Sequence, residues 1–156
     1  GRLAQIYAFK SRYVVIGVAS AVVLYLVFYL GNLVSTRLFA FAESQVAGIY
    51  ASRAQAAPAL IALLLLAWIG PAEEVFWRGF VQRRLGEQVG PVRGYILASL
   101  VYGGVHAWAF NFMLLMAALV AGLFWGAMLL RYGSVWPGII SHALWDAAIF
   151  VIWPVQ

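Results

Sequence analysis

The chain has 156 residues, of which 65% are hydrophobic and only 10% are charged. Soluble domains carry about 25% charged residues, so this composition excludes a soluble enzyme, a disordered chain and a nucleic-acid-binding module and predicts a polytopic membrane protein. The net charge of +5 indicates basic cytoplasmic loops, and the absence of cysteine excludes disulfides, thiol nucleophiles and zinc-finger or iron–sulfur sites.

Five segments have the roughly 20 apolar residues that a helix needs to cross a bilayer. The first follows basic residues, as a signal peptide would, but it exceeds a signal core of about 7–15 residues and no small-residue cleavage site follows, so we interpret it as a retained span. The loop at residues 35–57 has an apolar pattern that predicts a helix at the membrane interface. The spans are predicted at residues 13–34, 58–85, 92–108, 110–131 and 134–153.

These segments predict an all-α membrane helix bundle of about five transmembrane helices plus one interfacial helix. No repeat or linker divides it, so we expect one integral-membrane domain over residues 1–156. On the fourth span, Ala118, Gly122 and Gly126 recur every four residues and predict a close helix contact. Because the chain begins at Gly1 without a methionine, we expect the natural protein to be longer at one or both ends.

Basic residues predict the orientation of the bundle. Seven basic residues lie before the first span, at or between the facing ends of the second and third spans, or after the fourth span. If the amino terminus is cytoplasmic, all seven fall on the cytoplasmic side, as the positive-inside tendency requires. We therefore expect a multi-pass protein of the plasma (inner) membrane with a cytoplasmic amino terminus. The residues concerned are Arg2, Lys10, Arg12, Arg83, Arg84, Arg93 and Arg131.

Ionisable side chains inside the predicted spans cost about 2.5–3.5 kcal/mol each, so each needs a partner or a function. They occur on three spans, and the helical rise places them at a similar depth, about 15–20 Å from the nearest basic residue. Equal depth on separate helices predicts a single site. The residues are Glu73, Glu74 and Arg78 on the second span, His106 on the third, and His142 and Asp146 on the fifth.

The spacing of these residues predicts their partners. Glu74 and Arg78 are four residues apart with the acid first, which favours a helical ion pair. Glu73 is rotated by about 100° from Glu74 and can face another helix. His142 and Asp146 share a face, so the carboxylate can fix the imidazole tautomer or supply a further ligand.

Two kinds of hydrolytic chemistry fit this set. Glu73 can act as a general base on water while His106 positions that water. Alternatively Glu73, His106, His142 and Asp146 hold a divalent metal such as zinc, assembled from separate helices because HExxH is absent. A Ser–His relay is not expected, because Ser141 adjoins His142 and helical neighbours point about 100° apart.

Three motifs in this order resemble the CPBP family, the CAAX-protease and bacteriocin-processing intramembrane peptidases, also called Abi proteins. Residues 73–78 have the form E-E-x-x-x-R, residues 102–106 the form aromatic-x-x-x-H, and residues 142–146 the form H-x-x-x-N/D. The resemblance covers about residues 58–153, which it implies to be a peptidase-like core.

The resemblance implies an intramembrane peptidase of the glutamate or metal type. By position, Glu73 corresponds to the catalytic glutamate and Glu74 to its companion, and His106 to the water-activating histidine. His142 and Asp146 correspond to the pair that completes the site, with Arg78 and Tyr102 in structural support.

Two positions depart from the pattern of the family. Tyr102 stands where phenylalanine is usual, which adds a hydroxyl near the site. Asp146 stands where the prenyl endopeptidases have asparagine, and an ionised aspartate cannot donate a hydrogen bond to an oxyanion. We therefore expect Asp146 to orient His142 or to bind a metal.

The leading hypothesis is an endopeptidase that cleaves a membrane-associated protein or peptide in contact with the bilayer. One alternative is a non-catalytic module of the same fold, such as a bacteriocin-immunity or assembly factor. Another is a proton-coupled transporter, which the lack of an inverted repeat disfavours. The sequence predicts no nucleic-acid partner and leaves open a metal, a homo-oligomer and a membrane partner.

Overall fold

A computed structural model describes the backbone of residues 2–155 and the side chains of residues 4–155. Within those residues every regular element is helical, which confirms the predicted all-α bundle. The helices are α1 (Arg2–Ile6), α2 (Arg12–Leu38), α3 (Ala42–Ala51), α4 (Pro58–Val89), α5 (Pro91–Val105), α6 (Phe112–Tyr132) and α7 (Trp136–Ile152).

Three of the helices described, α2, α4 and α6, are long and apolar enough to cross a membrane. Helix α5 has 15 residues, about 22 Å of rise, and α7 is also shorter than a full span. The third predicted span therefore ends early, because the chain passes into a 3-10 turn at His106–Ala109. Large apolar side chains such as Val15 and Leu63 are 72% and 60% exposed, which is compatible with lipid around the bundle.

Helix α4 is irregular around Pro71. An α-helical turn at Gly70–Glu74 is flanked by two wider, π-helical segments, Leu65–Ile69 and Val75–Gln82. Proline has no N–H to donate and its ring crowds the carbonyl four residues back, so the preceding turn must widen. Such π segments often occur at functional sites, and this turn carries both glutamates of the E-E-x-x-x-R motif.

Small residues set the distance between α4 and α7. A Cβ atom on Gly70 would lie 2.9 Å from the Cα atom of Ala143, and one on Gly138 would lie 2.6 Å from a carboxylate oxygen of Glu74. Residue 70 lies against residue 143, and residue 74 lies against residue 138, so the two helices are antiparallel. The predicted stripe on α6 is confirmed in the same way, because Gly126 lies directly against the ring of Tyr95 on α5.

The contacts place the basic ends of the helices together. Gly17 near the start of α2 packs against Ile140 near the start of α7, so these helices run in the same direction. Because α4 is antiparallel to α7, its basic carboxyl end lies at the start of α7. The amino-terminal segment reaches the same end, where Val135 donates a backbone hydrogen bond to Ile6.

The predicted interfacial segment is helix α3, and it packs onto the bundle. Its Tyr50 hydroxyl donates to the carbonyl of Ile149 on α7 at 3.0 Å. Its Gln45 carbonyl accepts from Asn111 at 2.8 Å, where Asn111 caps α6. Helix α3 is therefore held against the start of α6 and the carboxyl-terminal part of α7.

We predict that Gly126→Leu lowers the free energy of unfolding by about 1–3 kcal/mol, because the leucine side chain would clash with the ring of Tyr95. Gly104→Leu is the matched control, since a Cβ on Gly104 meets nothing within 4 Å. Thermal unfolding in detergent, followed by circular dichroism, measures both. Equal midpoints for the two variants would contradict the proposed helix contact.

Candidate active site

Glu74 and Arg78 form a buried ion pair on α4, as their spacing predicts. The side chains are 0% and 3% exposed, and Nη1 of Arg78 lies 2.9 Å from Oε1 of Glu74. The guanidinium also donates to the carbonyl of Gly122 on α6 at 3.3 Å and lies 4.6 Å from the centre of the Tyr102 ring. Arginine cannot lose its charge inside the membrane, so these contacts hold it in place.

His142 on α7 lies between two carboxylates. Its Nδ1 is 2.9 Å from Oε1 of Glu74, and its Nε2 is 3.3 Å from Oδ2 of Asp146. The imidazole stacks on the Trp125 indole with the ring centres 3.6 Å apart. Because both nitrogens face carboxylate oxygens, neither is free to bind a metal or to accept a proton from water.

The second carboxylate oxygen of Glu74 is buried without a hydrogen-bond partner among the side chains described. It lies against Gly138, where no side chain intervenes. Glu74 is therefore enclosed by protein on both sides, and its oxygen Oε1 carries both of its contacts. This environment suits a structural carboxylate that joins α4 to α7.

Glu73 and His106 belong to a second, half-buried group that Tyr102 holds together. The Tyr102 hydroxyl donates to Oε2 of Glu73 at 3.0 Å, and the Tyr102 carbonyl accepts from Nδ1 of His106 at 2.8 Å. A carbonyl oxygen can only accept, so Nδ1 carries a proton, and in the neutral imidazole Nε2 keeps its lone pair. The tyrosine thus leaves one oxygen of Glu73 and one nitrogen of His106 without a partner from this group.

The end of α5 explains why the imidazole of His106 reaches that carbonyl. The backbone N–H of His106 donates to the carbonyl of Gly103, three residues back. The Tyr102 carbonyl, four residues back, is left without its helical donor and receives the side chain instead. The change from α-helix to 3-10 turn therefore fixes the orientation of His106.

The predicted single site is thus two groups that touch through Tyr102 and Arg78. One is the buried group of Glu74, Arg78, His142 and Asp146, and the other consists of Glu73 and His106, which are half-buried and are each bound to Tyr102. No three acidic or histidine side chains among the described residues are placed to hold a metal ion. The donors predicted for a metal therefore do not fit one in this arrangement.

Sequence reasoning missed Trp125 and the role of Gly138. Trp125 is 1% exposed, and its Nε1 donates to the hydroxyl of Ser141 at 3.2 Å. The Ser141 hydroxyl is therefore bound to Trp125 and not to His142, in agreement with the expectation that Ser141 and His142 form no relay. An aromatic residue on an apolar helix gives no signal that distinguishes a site residue from a core residue.

Comparison with known proteins identifies the family. Residues 53–148, more than half of the chain, match the family described as type II CAAX prenyl endopeptidase Rce1-like. The chain belongs to this Rce1-like family. No curated protein and no solved structure matches the chain.

The Rce1-like match agrees with the resemblance seen in the motifs, and it contains every candidate site residue. Together with the apolar helices, it makes the chain an integral membrane protein of a peptidase family. Helix α2 lies outside the matched residues and yet packs along α7, which carries His142.

We predict that Arg78→Leu lowers the free energy of unfolding by about 3–5 kcal/mol, because it leaves the buried Glu74 carboxylate without its cation. The double variant Glu74→Gln/Arg78→Leu removes both charges and is expected to recover part of that loss. Unfolding in mixed micelles of dodecylmaltoside and dodecylsulfate measures the difference. A double variant less stable than Arg78→Leu would contradict the ion-pair account.

Proposed function

We propose that this Rce1-like protein is an intramembrane endopeptidase that hydrolyses a peptide bond with water activated by Glu73 and His106. The observation that carries the proposal is that Tyr102 binds both residues, one through its hydroxyl and one through its carbonyl. Glu73 comes from α4 and His106 from the 3-10 turn that follows α5. Both side chains are half-buried, whereas Glu74 and His142 are enclosed.

The free carboxylate oxygen of Glu73 takes a proton from water while the water oxygen attacks the peptide carbonyl. The Nε2 lone pair of His106 accepts the other hydrogen of that water and fixes its direction. The protonated Glu73 then transfers its proton to the leaving amine, which breaks the carbon–nitrogen bond and restores the carboxylate. General acid–base catalysis of this kind contributes about 10²–10⁴-fold to the rate.

The buried group supports this reaction by position. Glu74 joins Arg78 on α4 to His142 on α7, and Asp146 holds the other side of the imidazole. Arg78 packs on the Tyr102 ring, so the ion pair also supports the tyrosine that orients Glu73. We assign these residues to structural support of the catalytic pair.

We further propose a membrane-associated protein or peptide as the substrate class, and the family name makes a prenylated CAAX protein one member of it. The catalytic core spans residues 58–153 of a single domain. The clustering of basic helix ends supports an inner-membrane protein with a cytoplasmic amino terminus.

The proposal is tested with fluorogenic peptides, prenylated and unprenylated, added to proteoliposomes. Glu73→Gln is expected to lower kcat by at least about 100-fold, because an amide cannot accept the proton. Glu43→Gln, an exposed acid on α3, is the matched control and is expected to cleave like wild type. A Glu73→Gln protein that folds and still cleaves would overturn the assignment, and retained biological activity would favour a non-catalytic module.

The same assay with a chelator such as 1,10-phenanthroline separates the two chemistries. Because no metal site is assembled among the described residues, cleavage is expected to continue at the same rate. A loss that added zinc restores would show a metal-dependent peptidase instead.

We predict that Tyr102→Phe lowers kcat about 3- to 30-fold with KM unchanged, because Glu73 loses the hydroxyl that orients it. Tyr95→Phe is the matched control on the same helix, where the hydroxyl donates to the Leu123 carbonyl at 3.1 Å. Steady-state kinetics of both variants checks this. Equal effects, or a change in KM alone, would contradict the positioning role of Tyr102.

A further inference from the structure

The connection between α1 and α2 lies against the turn that joins α6 to α7. The Ser134 hydroxyl donates to the carbonyl of Ala8 at 3.4 Å. The indole of Trp136 donates to the carbonyl of Tyr7 at 2.8 Å, and the Phe9 ring meets that indole edge-on with the ring centres 5.2 Å apart. Two segments that are distant in sequence therefore form one corner at the basic end of the bundle.

Three cations lie in these two segments, Lys10, Arg12 and Arg131. All three residues are exposed, and none of them forms an ion pair with a described residue. Together with Phe9 and Trp136 they form the surface that we call the basic corner.

The acidic residues of the chain all lie elsewhere. Of the five acids, Glu87 is bound by Arg83 and Arg84 near the end of α4, and Glu43 lies on α3 at the opposite ends of the helices. The other three belong to the candidate active site and are Glu73, Glu74 and Asp146. The charge of the basic corner is therefore not compensated by the chain itself.

The aromatic residues of the basic corner indicate where a compensating anion lies. Phe9 is 53% exposed beside the cations, at the ends of the membrane-crossing helices. Aromatic and basic side chains in such a position lie at the level of the lipid headgroups. An anionic phospholipid supplies a phosphate for the cations and apolar chains for Phe9, whereas a soluble anion supplies only the charge.

We propose that the basic corner binds the headgroup of an anionic phospholipid, with the phosphate among Lys10, Arg12 and Arg131 and with Phe9 against the lipid chains. Three of its five residues precede residues 53–148, which match the Rce1-like family. The proposal is independent of the proposed function, because binding a lipid requires no hydrolysis.

The test is a titration of the detergent-solubilised protein with phosphatidylglycerol and with phosphatidylcholine of identical acyl chains, followed by native mass spectrometry. Each Lys or Arg near a membrane surface changes the affinity for anionic lipid about fivefold. We therefore expect the protein to bind phosphatidylglycerol at least about tenfold more tightly than phosphatidylcholine. Equal affinities for the two lipids would overturn the proposal.

The double variant Lys10→Gln/Arg12→Gln is expected to lower the affinity for phosphatidylglycerol about 25-fold and to leave the affinity for phosphatidylcholine unchanged. Arg131→Gln is expected to lower it about fivefold. Arg37→Gln is the matched control, because Arg37 is an exposed residue in the last turn of α2 as Arg131 is in the last turn of α6. Equal effects of Arg131→Gln and Arg37→Gln would show a general effect of charge and would overturn the proposed site.

Competition separates the lipid from other anions. An excess of glycerol phosphate, or of a decapeptide of glutamate, is expected to leave phosphatidylglycerol bound, because neither supplies apolar chains for Phe9. Displacement by glycerol phosphate would show a site for soluble anions, and displacement by the peptide alone would show a site for an acidic polypeptide. Helicity and elution volume show whether each variant folds, and Arg131→Gln decides the question if the double variant does not.

Discussion

The Glu74 carboxylate accepts two N–H groups from different helices at a point where its side chain is fully buried. Its oxygen Oε1 lies 2.9 Å from both Arg78 of α4 and His142 of α7. Inside a membrane protein a charge left without such partners is costly, so the position of α7 relative to α4 depends on this contact. Gly70 and Gly138 allow it, because a side chain at either position would separate the helices.

The position of Glu74 also explains how neighbouring glutamates have different environments. A rotation of about 100° per residue turns Glu73 away from α7 and towards Tyr102 on α5. Glu74 is enclosed and makes both of its contacts through one oxygen, whereas Glu73 is half-buried and has one oxygen bound to Tyr102. Adjacent residues of one motif thus separate a structural carboxylate from a candidate base, while the ring of Tyr102 on Arg78 connects the two groups.

Much of this arrangement follows from the sequence because helical geometry is regular. Hydropathy predicts the helices, and the spacing of Glu74 with Arg78 and of His142 with Asp146 predicts contacts that the structure contains. The stacking of Trp125 on His142 could not be predicted, since it depends on the rotation of α6 against α7. The turn at His106 could not be predicted either, because no residue there signals a change from α-helix to 3-10 geometry.

The most direct test of this account is a double-mutant cycle between Glu74 and His142, with unfolding free energies measured for Glu74→Gln, His142→Gln and the double variant. Residues in one buried network couple by about 0.5–3 kcal/mol, and we expect a value in the upper part of that range. Additive effects, with a coupling energy near zero, would contradict the claim that this carboxylate joins the two helices and supports the site built on them.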